Sequence, residues 1–240
     1  MRREEWGEIE GWLEKQRVNS VVYVALGTEA TLSQDELTGL ALGLERSRLP
    51  FFWVFRKPPG STRDQLEMLP YGFINQVMDQ GRVYVDWAPQ AGILSHPAIR
   101  GFLTTHCGWN SGIEGLSYGR VLILFPVMND QGLNARSLTG KNLGVEIPRN
   151  EWDGTFTSDS VSDSVRLAMT SEEGETLRAN AREAKFLFGD KDINEENATI
   201  HAPYHMHLYN QTIERRNQII EDIIRGITIE GSIWLRRSMV

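Results

Sequence analysis

Apolar residues in this chain cluster in short continuous runs rather than in strict alternation. SVVYVAL (20–26), FFWVFR (51–56), RVYVDW (82–87), AIRGFL (98–103) and RVLILFP (120–126) stand out against polar surroundings. Unbroken runs of strand length, separated by stretches rich in Gly and Pro, predict strands buried on both faces, as in a parallel sheet covered by helices. Between the first two runs, SQDELTGLALGLERSR predicts a helix. Ser33 is its expected N-cap, Glu36 completes a capping box, and Leu37, Leu40, Ala41 and Leu44 share one face. Helical periodicity returns over 158–188. The alternation predicts an α/β fold, doubly wound around a mostly parallel, Rossmann-like sheet. After about residue 189 the pattern changes: GDKDINEENATIHAPYHMHLYNQ is polar and irregular. IERRNQIIEDIIRG then predicts a short amphipathic helix with Ile213, Ile219, Ile220, Ile223 and Ile224 as its apolar stripe.

Composition narrows the picture. At 240 residues and 40% apolar content the chain can bury a sizeable core, and no window resembles a membrane span or the apolar segment of a secretory signal, so a cytoplasmic protein is expected. The single cysteine, Cys107, can form neither an internal disulfide nor a structural zinc site, and reads as a small buried filler. A formal charge of −7 argues against nucleic acid as a partner. No metal or cofactor is expected, since His201, His205 and His207 stand in the polar tail.

Candidate chemistry sits where strands end, because open parallel sheets bind ligands beyond their carboxyl ends. Gly27-Thr28 follows the first run; the glycine permits close backbone approach and the hydroxyl can donate, although a plain turn would use the same dipeptide. After AIRGFL comes THCGWNSGIEG, which predicts a helix start whose free N–H groups attract an anion, with His106 and Ser111 as side-chain donors. Glu114, one turn on, is placed to accept two ribose hydroxyls. The alternative makes Asn110 and Ser111 helix caps only. On the same footing Trp87 is a core aromatic and Asp130 a solvated turn residue.

The stretch from Trp87 to Gln131, WAPQAGILSHPAIRGFLTTHCGWNSGIEGLSYGRVLILFPVMNDQ, closely resembles the signature box of plant family 1 UDP-dependent glycosyltransferases. SVVYVALGTEA, LALGLERSRLPFFWVFRKP, LPYGF, GLNARSL and FGDKD extend the resemblance over roughly residues 6–192. It implies the C-terminal, donor-binding half of a GT-B fold, with UDP-glucose as donor substrate and a small lipophilic or glycosylated molecule as acceptor. By the resemblance Trp87 stacks on the uracil, the backbone of Ala88 reads its edge, Gln90 lies against the nucleoside and Glu114 holds the ribose. Thr28, His106, Asn110 and Ser111 bind the diphosphate, with Gly108 allowing close approach. Trp109, Asp130 and Gln131 contact the sugar, and Gln131 is associated with glucose.

The chain departs from the family pattern in three places. FLTTHCG carries one additional residue before the histidine, and because side chains alternate along a strand, a bulge at Thr104–Thr105 is expected to absorb it. Arg120-Val121 stands where the family has x-Pro. Residues 1–18 resemble the linker between the family's two halves, 19–192 the donor domain, and 193–240 form an atypical tail. By the resemblance the catalytic histidine and its aspartate belong to the first half, and none of His96, His106, His201, His205 and His207 stands in that setting. A donor domain relying on an N-terminal acceptor domain is therefore expected, and a truncated, inactive nucleotide-sugar-binding relic is the alternative. Another UDP-sugar enzyme of similar fold, such as an epimerase, is disfavoured by the long box.

Overall fold

The continuous apolar runs become strands of one sheet. The computed structural model describes residues 3–26, 32–56, 66–85, 87–104, 109–127 and 131–189. In it β1 (Val21–Ala25), β2 (Phe51–Phe55), β3 (Gly81–Val85), β4 (Ile99–Thr104) and β5 (Val121–Leu124) fall on the predicted runs. A further strand, β6 (Gly144–Glu146), forms one edge. All neighbouring strands are parallel, in the order β3-β2-β1-β4-β5-β6, the doubly wound Rossmann arrangement. β6 escaped the hydrophobic pattern because it is three residues long and two of them are only half-buried.

Helices cover the sheet. They are α1 (Arg3–Leu13), α2 (Gln34–Ser47), α3 (Phe73–Gln76), α4 (Gln90–Ser95), α5 (Trp109–Ser117), α6 (Gln131–Gly140), α7 (Ser158–Met169) and α8 (Glu175–Phe188). The predicted capping box at α2 is complete: the Glu36 N–H donates to Ser33 Oγ at 3.2 Å, and the Ser33 N–H donates to Glu36 Oε2 at 3.0 Å. The helical stretch 158–188 divides in two. At Gly174 a Cβ would stand 1.9 Å from the Leu167 carbonyl oxygen, so the chain turns too tightly for any side chain. Arg178 closes the turn by donating to the Leu167, Ala168 and Ser171 carbonyls, and the Ser171 hydroxyl also donates to Leu167, so the carbonyls around the end of α7 find partners. The core is aromatic at its centre, with Tyr23, Phe51, Phe52, Trp53, Phe73, Phe102 and Phe125 fully buried. The linker-like N-terminal segment forms α1, which buries Ile9 and Leu13 and sets Trp12 against Phe52 at 5.6 Å.

Two sequence departures acquire structural roles. Arg120, the residue before the position where the family has proline, donates to the carbonyls of Leu94, His96 and Ile99, tying the end of α4 to the entry of β4; burial pushes its pKa down to about 10. The register break in β4 lies at the opposite end of the strand from the expected bulge. Val21 pairs with Ile99 and Val22 with Gly101, so Arg100 is the extra residue. Thr104 keeps regular register with both Ala25 and Leu124. Thr105 lies outside the described residues, as do Cys107, the tail histidines and the helix expected at 213–224. Among the described residues no helix is long and apolar enough to cross a membrane.

Candidate functional site

Strand order reverses between β1 and β4, and the crevice beyond their carboxyl ends is where a sheet of this order takes a ligand. β1 ends at Ala25 and β4 at Thr104, so these two strand ends border that crevice. α5 then begins at Trp109, with Asn110 and Ser111 inside its first turn. What their positions offer is a helix start with free N–H groups. α5 can lie directly on the sheet because of Gly115: a Cβ there would come within 2.9 Å of both Leu122 and Phe102.

Two of the expected site residues, from separate elements, meet. Gln90 opens α4, and its Nε2 donates to Glu114 Oε2 on α5 at 2.7 Å. The residues before Gln90 behave differently from one another. Trp87 is 56% exposed, which overturns its reading as a core aromatic, while Ala88 is buried. An open indole thus lies three residues along the chain from an amide that holds a carboxylate. Beneath them Tyr23 stacks on Phe102 with 5.2 Å between ring centroids. Burial drives the Tyr23 hydroxyl pKa far above its ordinary range; Arg56, at the end of β2, pulls it down and the Glu114 charge adds to the rise. Arg56 and Glu114 thus place opposite charges around Tyr23.

Gln131 begins α6 and is only 7% exposed. Its Oε1 accepts from the Val127 N–H at 2.9 Å and so ties the start of α6 to the residues that leave β5. Ser111 and Glu114 are half-buried. Gly27, Thr28, His106, Gly108 and Asp130 lie outside the described residues. Among the described residues no group of three His, Cys, Asp or Glu side chains could hold a metal ion.

Sequence reasoning missed Arg149. Its guanidinium sits over Phe125 at 4.4 Å and Phe156 at 5.2 Å, pairs with Glu36 Oε1 at 3.2 Å and donates to the Gly154 carbonyl at 2.8 Å. Its Nε and Nη2 are buried without a hydrogen-bond partner. Glu36 also completes the α2 capping box, so one ion pair ties the residues that follow β1 to those that follow β6. The capping box was legible as a local motif. A partner 113 positions away carries no local signal.

Residues 6–173 match the family described as "UDP-glucoronosyl and UDP-glucosyl transferase". The chain is 56% identical over 189 residues to UDP-glycosyltransferase 91C1 of Arabidopsis thaliana, a match covering 79% of this chain and 39% of that protein. It is 49% identical over 193 residues to UDP-glycosyltransferase 91D2 of Stevia rebaudiana, covering 80% and 41%. Its fold is similar to that of Phytolacca americana UGT2 complexed with UDP-2fluoro-glucose and pterostilbene, with a TM-score of 0.67 and 34% identity over 75% of this chain and 39% of that one. The chain thus spans about two fifths of the length of these relatives.

Proposed function

The chain belongs to the family of UDP-glucuronosyl and UDP-glucosyl transferases, and from that membership we propose that it binds a UDP-sugar, UDP-glucose in the first instance, as the donor half of an inverting glycosyltransferase. The observation that carries this reading is the Gln90–Glu114 hydrogen bond beside an exposed Trp87. A nucleoside needs a flat apolar face for its base and a carboxylate for its vicinal hydroxyls, and these residues supply both within one turn of chain and one hydrogen bond. The bound UDP-2fluoro-glucose of the Phytolacca americana relative supports the choice of donor.

In this reading uracil stacks on Trp87 and meets the backbone of Ala88, Gln90 lies along the nucleoside, and Glu114 accepts from the ribose. The diphosphate meets the N–H groups at the start of α5 together with Thr28, His106, Asn110 and Ser111, with Gly27 and Gly108 leaving room for its oxygens. Trp109, Asp130 and Gln131 face the sugar hydroxyls. Transfer follows from these positions. An acceptor hydroxyl oxygen attacks the anomeric carbon from the face opposite the diphosphate, the bond to the phosphate oxygen breaks with its electron pair, and UDP departs. Donors aimed at the leaving phosphate stabilise the charge that develops there, which lowers the barrier without a metal. The acceptor's proton passes to a base for which we assign no residue of this chain; the acceptor is a small lipophilic or glycosylated molecule.

Calorimetry with UDP and UDP-glucose tests the proposal. Saturable binding is expected, weakened by about 1–3 kcal/mol in Trp87→Ala, the scale of one stacked base. UDP release from UDP-glucose should rise when an acceptor domain from a relative is added. A chain that binds neither ligand sinks the reading.

A further inference from the structure

The amino-terminal ends of the strands, opposite the crevice, carry a second concave site. A pocket of about 40 Å³ is lined by Asn19, Arg100, Gly119, Val121, Arg178 and Arg182. Asn19 precedes β1, Gly119 and Val121 stand at the entry to β5, and Arg100 is the second residue of β4. Three of these positions have unusual backbone. Asn19 has φ 55 and Gly119 has φ 72, both left-handed, and Arg100 is the residue at the register break between β1 and β4. Bulges re-aim side chains, and this one delivers an arginine to the pocket.

The chemistry of the lining is one-sided. Arg178, 6% exposed, donates to Glu175 and to the carbonyls that end α7. Arg182 gives Nη2 to the other Glu175 oxygen at 2.8 Å, and Arg100 gives Nη1 to the Met169 carbonyl at 2.7 Å. One carboxylate thus stands among three guanidinium groups and pairs with only two of them, in a chain whose net charge is −7. Lys185 lies beside Gly119 and adds to the excess. Burial lowers the Arg100 pKa, and the charges of Arg178 and Arg182 push it the same way against Glu175. An anion among them would relieve that repulsion.

We propose that this pocket binds a phosphate group, free or as the end of a phosphomonoester, between Arg100 and Arg182. The planar fork of arginine matches phosphate oxygens in pairs, which a lysine cannot do. The volume suits one small ion rather than a ring system. The site is independent of the donor crevice, at the other end of the strands.

The test is calorimetric titration of the whole chain with inorganic phosphate and with glucose 1-phosphate, at constant ionic strength, with and without saturating UDP. Saturable phosphate binding is expected that UDP does not displace and that chloride does not reproduce. Arg182→Gln and Arg100→Gln should each weaken it by about tenfold, the scale of a lost hydrogen bond to a charged group. Arg182 is largely exposed, so its variant should melt like the natural chain in phosphate-free buffer, and the test stands even where Arg100→Gln fails to fold. Comparable binding of glucose 1-phosphate supports the phosphomonoester as the source; its rejection supports the free ion. No saturable phosphate binding, displacement by UDP, or undiminished affinity in Arg182→Gln would overturn the proposal.

Discussion

Glu114 and Gln90 act as one unit. Their hydrogen bond, 2.7 Å between partly buried groups on different helices, presents the carboxylate in a fixed direction rather than as a freely rotating acceptor. Removing either partner disturbs the other, so under the proposed function their contributions to nucleotide binding are coupled. We expect Glu114→Ala to weaken UDP binding by about 1–3 kcal/mol, as for a lost hydrogen bond to a charged group. The double variant with Gln90→Ala should lose clearly less than the sum of the single losses. Calorimetry on all four proteins measures the difference, and strictly additive losses would mean that Gln90 does not position Glu114. Residues of this kind were partly legible beforehand. Glu114 is a candidate from its place one turn into a helix, whereas its partner came only from the resemblance, because a contact between two helices leaves no mark on local sequence.

Among the elements, α2 and α7 illustrate how closely the covering layer is packed. Gly43, in the interior of α2, faces the first turn of α7: a Cβ there would stand 2.4 Å from Val161 Cβ and 2.8 Å from the Ser158 carbonyl oxygen. Glycine costs helix propensity at such a position, so a free surface would favour alanine by about 1 kcal/mol. Here the contact is with backbone and a β-branched side chain, neither of which can yield cheaply. Gly43→Ala is therefore expected to destabilise the fold by about 1–3 kcal/mol, as overpacking does. A raised denaturation midpoint would show that the two helices separate easily. The capping box and apolar face that announce this helix in the sequence assign no role to Gly43. Its meaning depends on α7, more than a hundred positions away.

For the whole molecule, the ion pair between Glu36 and Arg149 couples the two wings of the sheet and should report on global stability through pH. Burial by itself would raise the Glu36 pKa, but hydrogen bonds from the Ser33 backbone and the Arg149 side chain outweigh it and hold the carboxyl below its ordinary value. A group lowered on folding stabilises the native state fully above its unfolded pKa, and that contribution is lost as pH falls through the folded value. Asp153, held low by its hydrogen bonds to Thr155, and Glu175, held low by Arg182 and Arg178, act in the same direction but add little, because both carboxylates are solvent-exposed. Glu146, raised by burial, opposes them. The melting-temperature advantage of the natural chain over Glu36→Gln should accordingly be greatest near neutral pH and shrink below the ordinary carboxylate range. A gap that does not change with pH would show that the pair contributes nothing to stability.

What the sequence determined by itself was whatever a short window can encode. Among the described residues, five of the six strands were visible because strands buried on both faces must be apolar throughout, and α2 was visible because a capping box closes within four residues. The doubly wound class followed from the alternation of these elements, and the box from Trp87 to Gln131 carried the family. Tertiary structure alone decided the rest. It set the exposure of Trp87, which depends on what fails to cover it, and the register break at Arg100, which exists only relative to β1. It also brought together the arginines of α8 and β4 and joined Arg149 to Glu36. Each of these is a relation between residues far apart in the chain, fixed by the order in which parallel strands line up, and composition, periodicity and spacing hold no record of that order.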